Sequence, residues 1–277
     1  MDIRLQNIHT KLNYFSPENF GLLFIDWAEP IAVSMIKAYQ IDNDIDSVEN
    51  LNDYIELMLE GKDKQSGNKR YTSIEQVRSR GDVEKITAHL STTILTNFSD
   101  LNLLHQKDLK KYIQYLIAEI LNNVADHSGS KHGGFAMAQY YPTKRKVQVA
   151  VADSGIGFFE HINNVYPDIK TDEDALKKAV QMGVTASSNR IYGHERNAGY
   201  GLYALIQIIK ETKGQVVIIS HTGILRCKNG EVTTGTLNES WNGTVVAFEF
   251  IEENTELEFE QIMSKCMYVE DEEEGFF

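Results

Sequence analysis

The chain has 277 residues, enough for one large domain or two modest ones. Its net charge of −13 argues against non-specific binding to nucleic acid, whose phosphates need a basic surface. No apolar run approaches the length of a membrane span, the first residues lack the apolar core of a secretory signal, and two cysteines are too few for a disulfide framework, so a reducing cytoplasm is the expected location.

From Met1 to about Asp100 no motif is readable. The apolar run Phe20–Trp27 (FGLLFIDW) predicts a buried strand, and Pro30 suits the first turn of a helix through Tyr39. Residues 60–71 are polar and read as a long loop. The basic residues there and just after (Lys62, Lys64, Lys69, Arg70, Arg78, Arg80) read as a solvated charge run. Residues 74–98 have helical spacing in patches. Residues 1–100 are therefore expected to form a smaller accessory domain, α/β or mainly helical.

The pattern sharpens at Asp108. Leu109, Tyr112, Ile113, Leu116, Ile117, Ile120, Leu121 and Val124 recur at steps of three and four, the stripe of an amphipathic helix. The runs Phe135–Tyr141 and Val147–Ala152 flank Pro142-Thr143-Lys144-Arg145 and predict an antiparallel hairpin. A polar, partly helical stretch follows, then a helix over Gly201–Thr212 and strands over Val216–Ser220 and Thr244–Phe250. Helices and strands mix without alternating, which predicts an α+β layered sandwich over 101–252. Residues 253–277 read as a helix and an acidic tail.

Three motifs in this region carry chemistry. Glu119, Asn122, Asn123 and Asp126 lie at three- and four-residue steps on the polar side of the first helix. Glu119 and Asn123 are one turn apart and can share a site. A carboxamide oxygen at Asn123 is a hard ligand suited to Mg²⁺, and Glu119 can take a proton from a nucleophile beside it. Taken alone, the same spacing describes a solvated helix face. Next, Val147–Ala152 runs into Asp153-Ser154-Gly155-Ile156-Gly157. A strand-end carboxylate accepts from the exocyclic amino group of adenine and selects against guanine, and the two glycines let backbone approach a flat ring. Taken alone, this is also an Asp-Gly turn. Third, Asn197-Ala198-Gly199-Tyr200-Gly201-Leu202 opens the second helix, where free backbone N–H groups and the positive dipole end suit phosphate oxygens. Residues 158–198 are expected to close as a lid, with Arg190 and Arg196 as candidate γ-phosphate cations. Thr244, after Asn242-Gly243, can place a hydroxyl near the base or simply start a strand.

These motifs, in this order, resemble the Bergerat-fold, or GHKL, ATPase superfamily. Glu119–His127 resembles its N box, Asp153–Gly157 its G1 box, Asn197–Leu202 its G2 box, and Gly243-Thr244 its final Gly-Thr element. The resemblance covers about residues 105–252. It implies a two-layer sandwich with a mixed sheet and helices on one face, with ATP and Mg²⁺ as ligands. It further implies that Asn123 holds Mg²⁺, Asp153 reads adenine, the glycines of 199–201 contact phosphates, and Glu119 stands where hydrolysing members keep their base. The expected nucleotide-binding set is then Asn122, Asn123, Asp126, Asp153, Gly155, Gly157, Arg190, Arg196, Gly199, Tyr200, Gly201, Leu202 and Thr244.

Three activities fit such a site: slow or partner-stimulated ATP hydrolysis, serine/threonine phosphorylation of the anti-sigma-factor type, and an ATP-gated switch without turnover. The reading ranks them in that order, because Glu119 favours phosphoryl chemistry over a passive switch. A plain interaction module is the reading without a nucleotide. Sensor histidine kinases, which resemble the same superfamily, carry a phosphoacceptor histidine followed by an acidic residue; His89 and His105 are followed by Leu90 and Gln106, so histidine autophosphorylation is not expected. Gyrase-like members of that superfamily have a second domain that donates a lysine to the γ-phosphate; the stretch after Ile251 is expected to be too short for one. A regulatory protein partner or a homodimer is expected, and neither nucleic acid nor a membrane.

Overall fold

The computed structural model describes residues 1–60, 70–97, 103–184, 201–251 and 264. The chain starts with two short strands paired in parallel, β1 (Asp2–Ile3) and β2 (Trp27–Ala28), with 3-10 turns between them. Helix α1 (Pro30–Asp42) begins on the proline, as the sequence predicts. Helix α2 (Asp53–Leu59) is capped by Asn52, whose side-chain oxygen accepts the Ile55 N–H at 2.9 Å. Strand β3 (Glu75–Val77) leads into α3 (Arg80–Leu95), where Asp82 reaches back to accept the Ser79 N–H at 3.0 Å. The long helix α4 (Leu103–His127) and the hairpin β4 (Gly134–Tyr141) and β5 (Lys146–Asp153) follow. Two short helices, α5 (Gly157–Val165) and α6 (Asp172–Ala179), precede α7 (Gly201–Glu211) and a second hairpin, β6 (Gln215–Lys228) and β7 (Glu231–Ile251).

The architecture is α+β, with seven helices among the described residues and one five-stranded sheet in the order β3-β4-β5-β7-β6, every pairing antiparallel. Alternation along the strands divides the sheet into two apolar faces. Ala136, Ala138, Val149, Val151, Val246 and Phe248 pack with α3, α4 and α7. Phe135, Met137, Ala150, Ala152, Val245 and Ala247 face the other way, onto α1 and the N-terminal turns.

That second covered face corrects two expectations. The sheet is not mixed among the described strands, and its helices do not lie on one face only. The physical reason is in the strands themselves: every residue of β5 is buried, and a strand that meets water on one side cannot be apolar on both. Helix α1 supplies the missing cover. Nine of its thirteen residues are buried, so it is apolar around its circumference rather than along one stripe. The N-terminal residues share this core with the sheet, and β3, from the same region, is a strand of it. The accessory region expected over 1–100 thus shares its core with the sheet.

Smaller corrections follow. Phe20–Trp27 is not a strand: Phe20–Leu22 forms a 3-10 turn, and Leu22 and Phe24 are exposed while Phe20, Leu23 and Ile25 are buried. Helix α4 begins at Leu103, earlier than Asp108. The first part of the expected lid is two helices, α5 and α6, the latter held to the β6–β7 hairpin by Glu173 (to Thr234 at 2.9 Å) and Asp172 (to Thr222 at 2.7 Å). The rest of that stretch, the loop around Lys62–Lys69 and the expected C-terminal helix and acidic tail lie outside the described residues. No helix of the described residues is long and apolar enough to cross a membrane.

Candidate functional site

The site forms where the end of α4, the end of β5 and the start of α7 meet. The predicted apolar stripe of α4 from Leu109 to Val124 is buried against the sheet. This turns Glu119 and Asn123, one turn apart, toward a cavity whose wall also holds Asp153, Gly157, Gly201, Leu202 and Thr244. Seven of the residues selected from the sequence thus line one space. The enclosed volume is about 110 Å³, below the roughly 300 Å³ at which sites for whole drug-sized ligands begin. Val184 and Gly201 both stand on this wall; residues 185–200 between them, which include Arg190, Arg196, Gly199 and Tyr200, lie outside the described residues.

Asp153 ends β5 fully inside the protein. Its Oδ1 accepts the backbone N–H of Gly155 at 2.8 Å and of Thr244 at 3.3 Å, while Oδ2 takes no bond among the described residues. Burial pushes its carboxyl up to about 7, against the pull of those two N–H groups. Neighbours lock the strand end in place. The Asp153 carbonyl accepts from Trp241 Nε1 at 2.9 Å, Ile156 N–H donates to the Ser128 carbonyl at 2.7 Å, and His221 Nε2 donates to the Ile156 carbonyl at 2.9 Å. Gly243 turns at φ +105° just before Thr244, and a Cβ there would collide with the Asp153 carbonyl. Only glycine lets β7 deliver the Thr244 N–H to the carboxylate.

Glu119 is 8 % exposed, and burial raises its carboxyl to about 7, opposed by the nearby Arg80 guanidinium. Helix α7 starts directly against it: a Cβ on Gly201 would lie 2.5 Å from Glu119 Oε2. The carboxylate and the start of α7 are therefore in direct contact on the cavity wall.

Three predicted residues are not in the wall. Asp126 is bound by Arg80, with bonds of 2.7 and 2.6 Å to its two oxygens, and so holds α3 to α4. Asn122 is rotated away from Asn123 by one residue of helix, about 100°. Gly155 serves packing instead of ring approach, since a Cβ there would meet the Ser128 carbonyl. Conversely, His127, Ser128, Phe158 and His161 line the cavity without having been selected. His161 Nε2 donates to the His127 carbonyl at 2.7 Å, and burial, then His161, lowers the His127 pKa. His127 was findable: it lies four residues after Asn123, one further turn along the same face. His161 arrives from α5, and no spacing signals it.

The chain matches no protein-family model and no curated protein. Among the described residues no group of three or more His, Cys, Asp or Glu side chains could hold a metal ion. A cation here would rest on a single amide oxygen, completed by the ligand's own oxygens and water, which is the habit of Mg²⁺.

Proposed function

We propose that the chain binds ATP in a site of Bergerat type and hydrolyses it, slowly or under stimulation by a partner protein. The observation that supports this best is the convergence of Glu119, Asn123, Asp153, Gly201 and Thr244 on one cavity. The reading rests on the site and not on the layering, since the antiparallel sheet and its covered second face depart from the expected Bergerat sandwich.

Each residue then has a task. Asp153 Oδ2, the open acceptor of a buried carboxylate, takes the adenine amino group, and the donor drives the carboxyl toward its ionised form. Guanine presents a carbonyl there and is rejected. Gly157 and Leu202 flank the ring space, and the N–H groups at the start of α7 face phosphate oxygens. Asn123 would hold Mg²⁺, which when bound neutralises phosphate charge. Glu119, with its carboxyl near 7, accepts a proton from water at neutral pH.

Calorimetric titration with ATP and GTP, with and without Mg²⁺, tests the binding; equal affinity for the two bases would overturn it. Incubation with γ-labelled ATP tests the chemistry. Free labelled phosphate is the expected product, whereas label on a partner protein would mean that Glu119 deprotonates a hydroxyl instead of water.

A further inference from the structure

A second cavity lies at the far end of the same hairpin. Strands β4 and β5 pair from Gly134 with Asp153 at the nucleotide end to Tyr141 with Lys146 at the other. Beside Tyr141 the chain encloses about 470 Å³, inside the roughly 300–1,000 Å³ range of small-molecule sites. None of its lining residues belongs to the nucleotide site.

Its wall is graded from inside to outside. Deepest is Glu29, 3 % exposed. Its Oε2 accepts Leu5 N–H and Gln148 Nε2, each at 2.8 Å. Its Oε1 takes no hydrogen bond among the described residues, and Lys146 Nζ stands 3.7 Å away, past hydrogen-bond reach. That oxygen, ion-paired with Lys146 but not hydrogen-bonded to it, lines the cavity as a charged acceptor that an N–H donor can reach, a charged one above all. Halfway up, Trp27 stacks on Tyr54 at 6.1 Å with Tyr141 at 6.5 Å, and such rings attract a cation or cover an apolar body. At the rim stand Arg70 and Lys144, both exposed. The third cation, Arg4, is already held by Asp2 at 2.7 Å.

A simple anion would meet Glu29, and a simple amine would leave the cationic rim unanswered. We propose that this cavity binds a small zwitterion of the amino-acid class, its ammonium on Glu29 Oε1, its body against Trp27 and Tyr141, its carboxylate at Arg70 and Lys144. Nothing in this depends on the nucleotide reading.

The test is calorimetric titration of the full chain with L-phenylalanine, L-leucine, L-lysine and L-glutamate, beside phenethylamine and 3-phenylpropionate, each carrying only one of the two charges. At least one amino acid should bind with a Kd below about 1 mM, and the single-charge probes about tenfold or more weakly. Arg70→Gln and Trp27→Leu, at partly or fully exposed positions, should each weaken binding about tenfold, and Glu29→Gln at least as much. Asp153→Asn, at the other end of the hairpin, should leave it unchanged. Absence of binding by all four amino acids at about 10 mM overturns the proposal. So does equal affinity for the single-charge probes, or affinity that survives both Arg70→Gln and Trp27→Leu.

Discussion

The two ends of β5 treat buried charge in opposite ways. At the Lys146 end the ammonium lies 2.6 Å from Glu249 and 3.7 Å from Glu29. Gln148 Nε2 bridges both carboxylates at 2.8 and 2.6 Å, and Gln215 adds a bond to Glu249 at 2.5 Å. At the Asp153 end a carboxylate just as deeply buried has two backbone N–H groups and, among the described residues, no cation in contact. Glu119, on the same cavity wall, is also carried up to about 7 by burial, though the Arg80 guanidinium opposes the rise. A paired set of buried charges holds elements together, whereas a buried carboxylate without a cation is a standing cost, kept where a ligand can relieve it. The difference sets a charge network largely closed on itself, with only Glu29 Oε1 lacking a hydrogen bond beside the second cavity, against a carboxylate whose second oxygen a ligand can reach.

The hardest test of that distinction is Glu119→Gln. If Glu119 is the base, ATP affinity should stay near wild type while turnover falls by about 10²–10⁴-fold, as removal of a positioned base does. Unchanged phosphate release would place Glu119 with the structural charges. The wild-type rate should rise with pH through a midpoint near 7, because the ionised form accepts the proton.

Lys146→Ala tests the other end. It leaves Glu29 and Glu249 buried without their ammonium, so stability should fall by about 3–5 kcal/mol. Thermal or urea unfolding reads this directly. A loss within about 1 kcal/mol, as at an exposed pair, would mean that the network contributes little.

Asp153→Asn is expected to lose about 100-fold in ATP affinity, since a charge-assisted bond to a buried group is worth roughly 2–3 kcal/mol. It should also stabilise the free protein at neutral pH. The folded carboxyl, near 7, keeps a proton that the unfolded one loses near its ordinary 3.8. Stability from this group is therefore fully present below about pH 4, falls as pH rises toward 7, and is flat above. Asparagine has no proton to lose. At pH 8 the variant should melt higher by roughly 2–4 °C, on the order of 1 kcal/mol for a chain of this size, and the gap should close by about pH 4. Equal melting at both pH values would show that Asp153 is not strained by its burial.

What was legible in the sequence divides along the same line. The α4 stripe, the β4–β5 hairpin and the glycines around Asp153 announce themselves through local spacing, and local spacing is what brings Glu119 and Asn123 to one side. The third layer is long-range. Nothing in Pro30–Asp42 names the sheet face it covers; the clue lay instead in β5, whose apolar residues run on where a half-exposed strand would alternate. The reach of β6 and β7 was locally legible and missed. Asn229 and Gly230, both at positive φ, form the two-residue turn of a hairpin that extends well past Ser220 and Thr244. The ion pair between Arg80 and Asp126 joins residues far apart in the chain, and no local spacing signals that Asp126 is tethered to α3.

That tether supplies the finest test. Among the described residues Arg80 is the cation whose field opposes the rise of the Glu119 carboxyl, and its side chain is largely exposed. Arg80→Gln removes this opposition and frees the negative charge of Asp126, both of which favour the protonated acid. The midpoint of the rate against pH should therefore move upward by a fraction of a pH unit, less than about 1 kcal/mol for an exposed cation. Because water screens such a charge, raising the salt of the wild type should move its midpoint in the same direction, while the variant stays nearly still. A downward shift, or equal salt dependence in both proteins, would mean that burial alone sets the basicity of Glu119 and that Arg80 serves only to hold α3 to α4.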